Sequence, residues 1–164
     1  MRAIALAAAG VLALAGTAPR SGAQTASQPG SQAGQHGVMV KSQDVQWRPG
    51  PPSMPQGARM AVLYGDPSKE GPFAMRLQFP TGSRIPPHTH PGHEIVTVIS
   101  GTFLLGHGAQ ADKEKTQAMP AGSLIAVPPG TAHYAFVDEE TVVQVTTSGP
   151  WTVNYVNPAD APGR

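Results

Sequence analysis

The sequence contains no cysteine, and among its 164 residues only 5% are aromatic and 13% charged. Without cysteine there are no disulfides, thiolate-held zinc sites, iron–sulfur clusters or thiol nucleophiles. So few aromatics make no stacking platform for single-stranded nucleic acid. With 11 basic residues against 10 acidic ones, no electrostatic footprint for DNA or RNA exists either. The apolar run over residues 3–16 is Ala-rich and falls short of the ~20 residues that span a bilayer. Helical periodicity is also missing: no stretch repeats its apolar residues every 3.6 positions over three turns. Glycine and proline, in contrast, number 19 and 18, together roughly twice the ordinary usage of ~12%. Both disfavour helix interiors, which excludes a helix bundle.

Residues 1–23 read as a secretory signal peptide. Arg2 is a minimal positive start, residues 3–16 form the apolar stretch, and Ser21-Gly22-Ala23 puts small residues at the −3 and −1 positions of a cleavage site. Pro19 makes Ala18 a poorer cleavage position. The expected location is therefore periplasmic or secreted, with no membrane span in the mature chain. Loss of this segment removes Arg2 and Arg20, so the whole-chain pI near 8.2 belongs largely to the precursor. Residues 24–37, rich in Gln, Ser and Gly, read as a disordered leader. A β domain is expected over 38–158, followed by a short tail over 159–164.

Short apolar runs bounded by turn residues fill that domain. Phe73, Met75, Leu77 and Phe79 alternate with Ala74, Arg76 and Gln78, a period of two. Runs over 58–64, 94–100, 102–105, 123–127, 133–137, 141–147 and 151–156 continue the series, β-branched or aromatic and separated by Gly, Pro or Asp. Many short strands at close spacing predict an all-β sandwich or closed barrel.

Chemistry concentrates in the histidines. His88 and His90 are two residues apart, which on a strand puts both on one face. Glu94 follows in the same parity, although Pro91-Gly92 interrupts the run. Two imidazoles and a carboxylate converging on one point hold a divalent first-row metal and leave positions open. His133, on a later strand, becomes a fourth ligand if the sheet closes. His93 competes with Glu94, because neighbours on a strand face opposite sides and only one points inward. Other chemistries fail: His93-Glu94-Ile95-Val96-Thr97 lacks the second His of a zinc helix, and no phosphate-binding Gly-x4-Gly-Lys loop or Gly-x-Ser-x-Gly elbow is present.

The pattern Gly82-x5-His88-x-His90-x3-Glu94-x6-Gly101 resembles the first motif of the cupin superfamily, and Gly122-x5-Pro128-x-Gly130-x2-His133 resembles the second. The 20 residues between them match short single-domain cupins, and the wider run is similar to exported bacterial cupins of the cupin 2 type. Val137 stands where the family's second motif closes with Asn, a structural position. The resemblance implies a cupin-type double-stranded β-helix, or jelly-roll, barrel. It also implies one divalent ion (Mn, Fe, Ni or Zn) held by His88, His90, Glu94 and His133, and its register selects Glu94 over His93.

Parity from Glu94 and His133 points Val96, Val98, Ala135 and Val137 inward, an apolar pocket poor in acid–base groups unless Gln144 or Tyr155 faces it. Tyr134 is expected to face away from His133. Arg84, His107 and the Asp138-Glu139-Glu140 run are expected at the surface, His93 at the rim, and Trp47 and Trp151 as core or interface anchors. The expected function is that of a metal-binding cupin, a metal-dependent enzyme of oxygenase or lyase/isomerase type acting on a small organic molecule. Its rival is a non-catalytic metal or ligand-binding module. Open sheet edges and the habit of the family predict a homodimer.

Overall fold

The computed structural model describes residues 37–162. The segments read as signal peptide and leader before Gly37, His36 and the last two residues of the expected tail lie outside the described residues.

Among the described residues, eleven strands, numbered in chain order, form two antiparallel sheets. The larger has the order β1 (Arg48–Pro49), β2 (Arg59–Tyr64), β3 (Gly71–Phe79), β10 (Thr141–Gly149), β5 (Glu94–Ser100), β8 (Leu124–Val127). The smaller has the order β11 (Asn154–Tyr155), β4 (Arg84–Thr89), β9 (His133–Phe136), β6 (Thr102–His107), β7 (Gln117–Pro120). Consecutive strands β5 and β6 lie in different sheets, while β3 pairs with the distant β10 and β4 with β9. This is the jelly-roll expected from the motifs.

Period-two patterning produces the core. Along β3, Phe73, Met75, Leu77 and Phe79 are each at most 4% exposed, while Ala74, Arg76 and Gln78 lie on the outer side. Val143 and Val145 on β10 and Val96 and Val98 on β5 complete that wall, and Ile85, Leu105 and Ala135 come from the other sheet. Each large apolar side chain so buried contributes about 1.5–3 kcal/mol. Two glycines answer to close approach. At Gly101, between β5 and β6, φ is +73°, and an added Cβ would lie 2.6 Å from Glu140 O and Thr141 Oγ1. At Gly106, in β6, it would lie 2.3 Å from the Tyr134 ring.

Apart from the run over 151–156, the anticipated strands are present, with β5 matching its expected bounds. Three elements were not in the series: β1, β4 and β7. In β4 the adjacent Pro86 and Pro87 mask the pattern, and the β4–β9 ladder shifts register between Ile85 and His88. The run over 151–156 is a strand only at β11, because residues 151–153 cross the barrel mouth instead. Trp151 N–H donates to Pro67 O at 2.7 Å there, and Thr152 O is taken by a histidine side chain.

Candidate metal centre

Strand geometry brings four side chains from three places in the chain to one point. His88 is inward on β4, and its register partner on β9 is His133. His90 follows β4 in an extended segment pinned to the later turn by Gly130 N–H donating to His90 O at 2.9 Å. Glu94 opens β5 in the facing sheet. All four are buried, at 3–6% exposure, and the ligating atoms of the three histidines lie within 4.8 Å of one another. Glu94 closes the group. Its Oε1 lies 3.3 Å from His90 Nε2 and its Oε2 lies 3.2 Å from His133 Nε2.

Backbone carbonyls set the tautomers. His88 Nδ1–H donates to Pro86 O at 2.8 Å, His90 Nδ1–H to Thr152 O at 2.7 Å and His133 Nδ1–H to Thr131 O at 3.0 Å. A carbonyl only accepts, so each Nδ1 carries a hydrogen and each Nε2 is the nitrogen open to a metal ion or, without one, to a second proton. Outer hydrogen bonds of this kind orient metal-binding imidazoles.

Burial holds His88 down to about 3, helped by the neighbouring His133, so it stays neutral across ordinary pH. Burial opposes the charge on Glu94, but the hydrogen bond with His133 and the close approach of His90 outweigh it and bring the carboxyl down to about 2. Burial also opposes charge on His133, and there the hydrogen bond to Glu94 prevails and raises it. His90 Nε2 is buried with no hydrogen-bond partner among the described residues, with Glu94 Oε1 3.3 Å away. The three histidines form a group able to hold a metal ion, with the Glu94 carboxylate beside two of them.

The group opens onto a cavity of ≈ 40 Å³ walled by apolar side chains, among them Leu77, Phe79, Ile85, Val96 and Leu105. Ser53, Met54, Trp151 and Tyr155 also line it. Tyr155 O–H donates to Ser53 O at 2.7 Å, and burial pushes its phenol up to about 12. Trp151 lies flat on His90, with ring centroids 4.9 Å apart and planes at 18°.

Other expectations resolve residue by residue. Val96, Val98, Ala135 and Val137 are buried in the core. Tyr134 is turned to the other side, under Gly106, its hydroxyl donating to Asp112 O at 3.0 Å. His93 is exposed and engages only its carbonyl, which accepts from Thr147 Oγ1 at 2.7 Å. Gln144 is on the outer face, accepting from Arg76 Nε at 3.2 Å, and supplies nothing to the cavity. Arg84 and His107 are exposed, and Asp138 pairs with Lys113 at the surface. Trp47 is half-buried beneath Arg59, away from the cavity. The roles of Trp151 and of the segments around Ser53 and Thr152 carry no periodic signal and were not legible beforehand.

A family model described as the ChrR cupin-like domain matches residues 35–152. Germin-like protein subfamily 2 member 1 of Arabidopsis thaliana is 37% identical over 60 residues, 36% of this chain and 27% of that protein. Putative germin-like protein 9-2 of Oryza sativa is 36% identical over 61 residues, 37% of this chain and 28% of that protein. The chain thus spans under a third of the length of these curated relatives. Among solved structures, the polyketide cyclase RemF from Streptomyces resistomycificus superposes with a TM-score of 0.62 at 19% identity, over 76% of this chain and 89% of that one. An acetylacetone dioxygenase from Acinetobacter johnsonii gives a TM-score of 0.58 at 18% identity, over 80% and 85%. At these identities the structural likeness is one of fold.

Proposed function

The chain belongs to the ChrR cupin-like domain family of the cupin superfamily, and on that premise we propose that it binds one divalent metal at His88, His90, Glu94 and His133 and performs metal-dependent chemistry on a small organic molecule. The observation that carries the reading is the tautomer lock: three Nδ1–H groups spent on carbonyls leave the Nε2 atoms of three clustered, buried histidines for a metal, two of them beside the Glu94 carboxylate. When bound, the ion supplies Lewis acidity and, if redox-active, electron chemistry with dioxygen.

Oxygenase chemistry fits the cavity better than lyase or isomerase chemistry. The latter two need a group that moves a proton near neutral pH. Outside the ligand set, the titratable side chain lining the cavity is Tyr155, which is committed to Ser53 O and raised to about 12. The chain's contribution is to hold the ion, exclude bulk water and orient a small reactant. The same shortage of acid–base groups supports a second reading, a binding or sensing module with no turnover. Export to the periplasm or medium and pairing as a homodimer are further parts of the proposal.

Oxygen uptake by the Fe(II)-loaded protein against a panel of small carbonyl compounds tests it. Uptake dependent on both metal and reactant supports the enzyme. Stoichiometric metal binding with no uptake favours the binding module. Failure to retain Mn, Fe, Ni or Zn overturns both.

A further inference from the structure

Three buried side-chain polar atoms lack a hydrogen-bond partner among the described residues: Gln78 Oε1, His90 Nε2 and Trp151 Nε1. Two of the three belong to one stacked pair of rings, Trp151 on His90, and Trp151 lines the cavity beside the metal site. The His90 atom is a lone pair facing the metal position. The Trp151 atom is an N–H, a donor that accepts nothing. A buried donor left unmade costs about 1–3 kcal/mol, and the mature barrel carries that cost beside its cavity.

Along the cavity the polar inventory is short and weighted to one side. The Nε2 atoms and the Glu94 carboxylate accept, the Tyr155 hydroxyl is used on Ser53 O, and the Ser53 hydroxyl is the other hydroxyl on the lining. Charge is one-sided too once the site is loaded. A divalent ion against the single negative charge of Glu94 leaves one positive charge in an apolar barrel, and no other acid lines the cavity. An uncompensated buried charge is strongly disfavoured. Volume sets the size of what can answer. About 40 Å³, at roughly 10–15 Å³ per water on the same scale, admits about three or four non-hydrogen atoms.

We propose that Trp151 is a ligand-recognising residue, whose indole N–H donates to a small monoanion of about three heavy atoms bound beside the metal. This rests on the metal-binding reading above and adds the ligand class to it.

Zinc-loaded protein, titrated with azide and with formate, gives the direct measurement through its two indole N–H resonances. Trp47→Phe, remote from the cavity, assigns them. The Trp151 resonance is expected to move downfield and saturate while that of Trp47 stays, and benzoate, too large for the cavity, is expected to move neither. Trp151→Phe keeps a ring on His90 and removes only the donor. In the cobalt-loaded form it should bind metal like the parent but azide about tenfold more weakly or worse, the loss of a hydrogen bond to a charged group. Anion binding that leaves the Trp151 resonance unmoved, equal azide affinity in Trp151→Phe, or no anion binding to metal-loaded protein overturns the inference and spares the metal site. Failure to take up zinc or cobalt at all overturns the metal reading, and the inference with it.

Discussion

His88 and His133 face each other as register partners of β4 and β9, their ring centroids 4.2 Å apart. A one-residue slip in a ladder sends every side chain to the opposite face, so the site depends on that register. The irregularity between Ile85 and His88 lies just before the pair, where Pro86 and Pro87 cannot donate ladder hydrogen bonds. Pro86 instead contributes its carbonyl to His88 Nδ1.

The metal and the barrel are separable. Core burial comes from Phe73, Met75, Val98, Val143 and their neighbours, not from the histidines. His88→Ala combined with His90→Ala is expected to abolish metal retention after dialysis while the β-sheet circular dichroism persists. Stoichiometric metal in the double variant, by elemental analysis, would show the ligand set to be wrong.

Glu94 and His93 separate by charge and place. Glu94 is buried between two imidazoles and His93 is exposed. Glu94→Gln keeps the shape and removes the charge that offsets the ion, so affinity should fall by at least the 10–100-fold typical of lost supporting contacts. His93→Gln, a surface change worth within about 0.5 kcal/mol, should leave affinity within roughly twofold. Metal titrations of both variants decide, and a reversed order would shift the pocket-facing set by one residue.

Much of this was readable from residues because two simple periods coincide. Alternation over 94–100 gives β5 its bounds, and the His88, His90, Glu94 spacing survives the turn at Pro91-Gly92 because the chain re-enters extended backbone at Glu94. The hidden parts are those whose partners are remote and aperiodic. His90 takes the carbonyl of Thr152, 62 residues on, and Tyr155 bonds Ser53, 102 residues back. Residues 151–156 carry the composition of a strand, yet the mouth of the barrel needs a cover, and Pro67 O and His90 Nδ1 hold that segment across it.

Asp66 braces the exposed turn whose Pro67 carbonyl holds that cover. The side-chain and backbone hydrogen bonds from Ser68, then Lys69, hold its carboxyl down to about 2, from an ordinary 3.8. A folded pKa below the unfolded one adds stability above the unfolded value and loses it as pH falls through the folded value. The Asp66 contribution is therefore intact above about pH 4 and gone near pH 2. Asp66→Asn should be less stable than the parent at pH 6, by a small margin for so exposed a group, with the gap closing between pH 4 and pH 2. Urea midpoints at several pH values check this, and a gap that widens on acidification would show the carboxylate to be unimportant to the fold.

Tyr155 offers the sharpest test of whether the cover controls access. Its hydroxyl donates to Ser53 O at 2.7 Å, joining β11 to the segment before β2, and its ring stands 6.0 Å from that of His88. Tyr155→Phe keeps the apolar ring and deletes the bond, leaving the Ser53 carbonyl without that donor. A typical intramolecular hydrogen bond is worth about 0.5–1.5 kcal/mol net, so global stability should fall by roughly that amount. The ligands themselves are untouched, so equilibrium metal affinity should stay close to the parent's. Local opening of the cover, however, should become more frequent by the factor the same energy implies, about 2- to 13-fold. A chelator should therefore strip metal from Tyr155→Phe faster in that proportion while titrated affinity barely changes. Equal stripping rates would mean that metal leaves by a route that does not pass Tyr155 and Ser53, and the segment over 151–156 would then serve the fold alone.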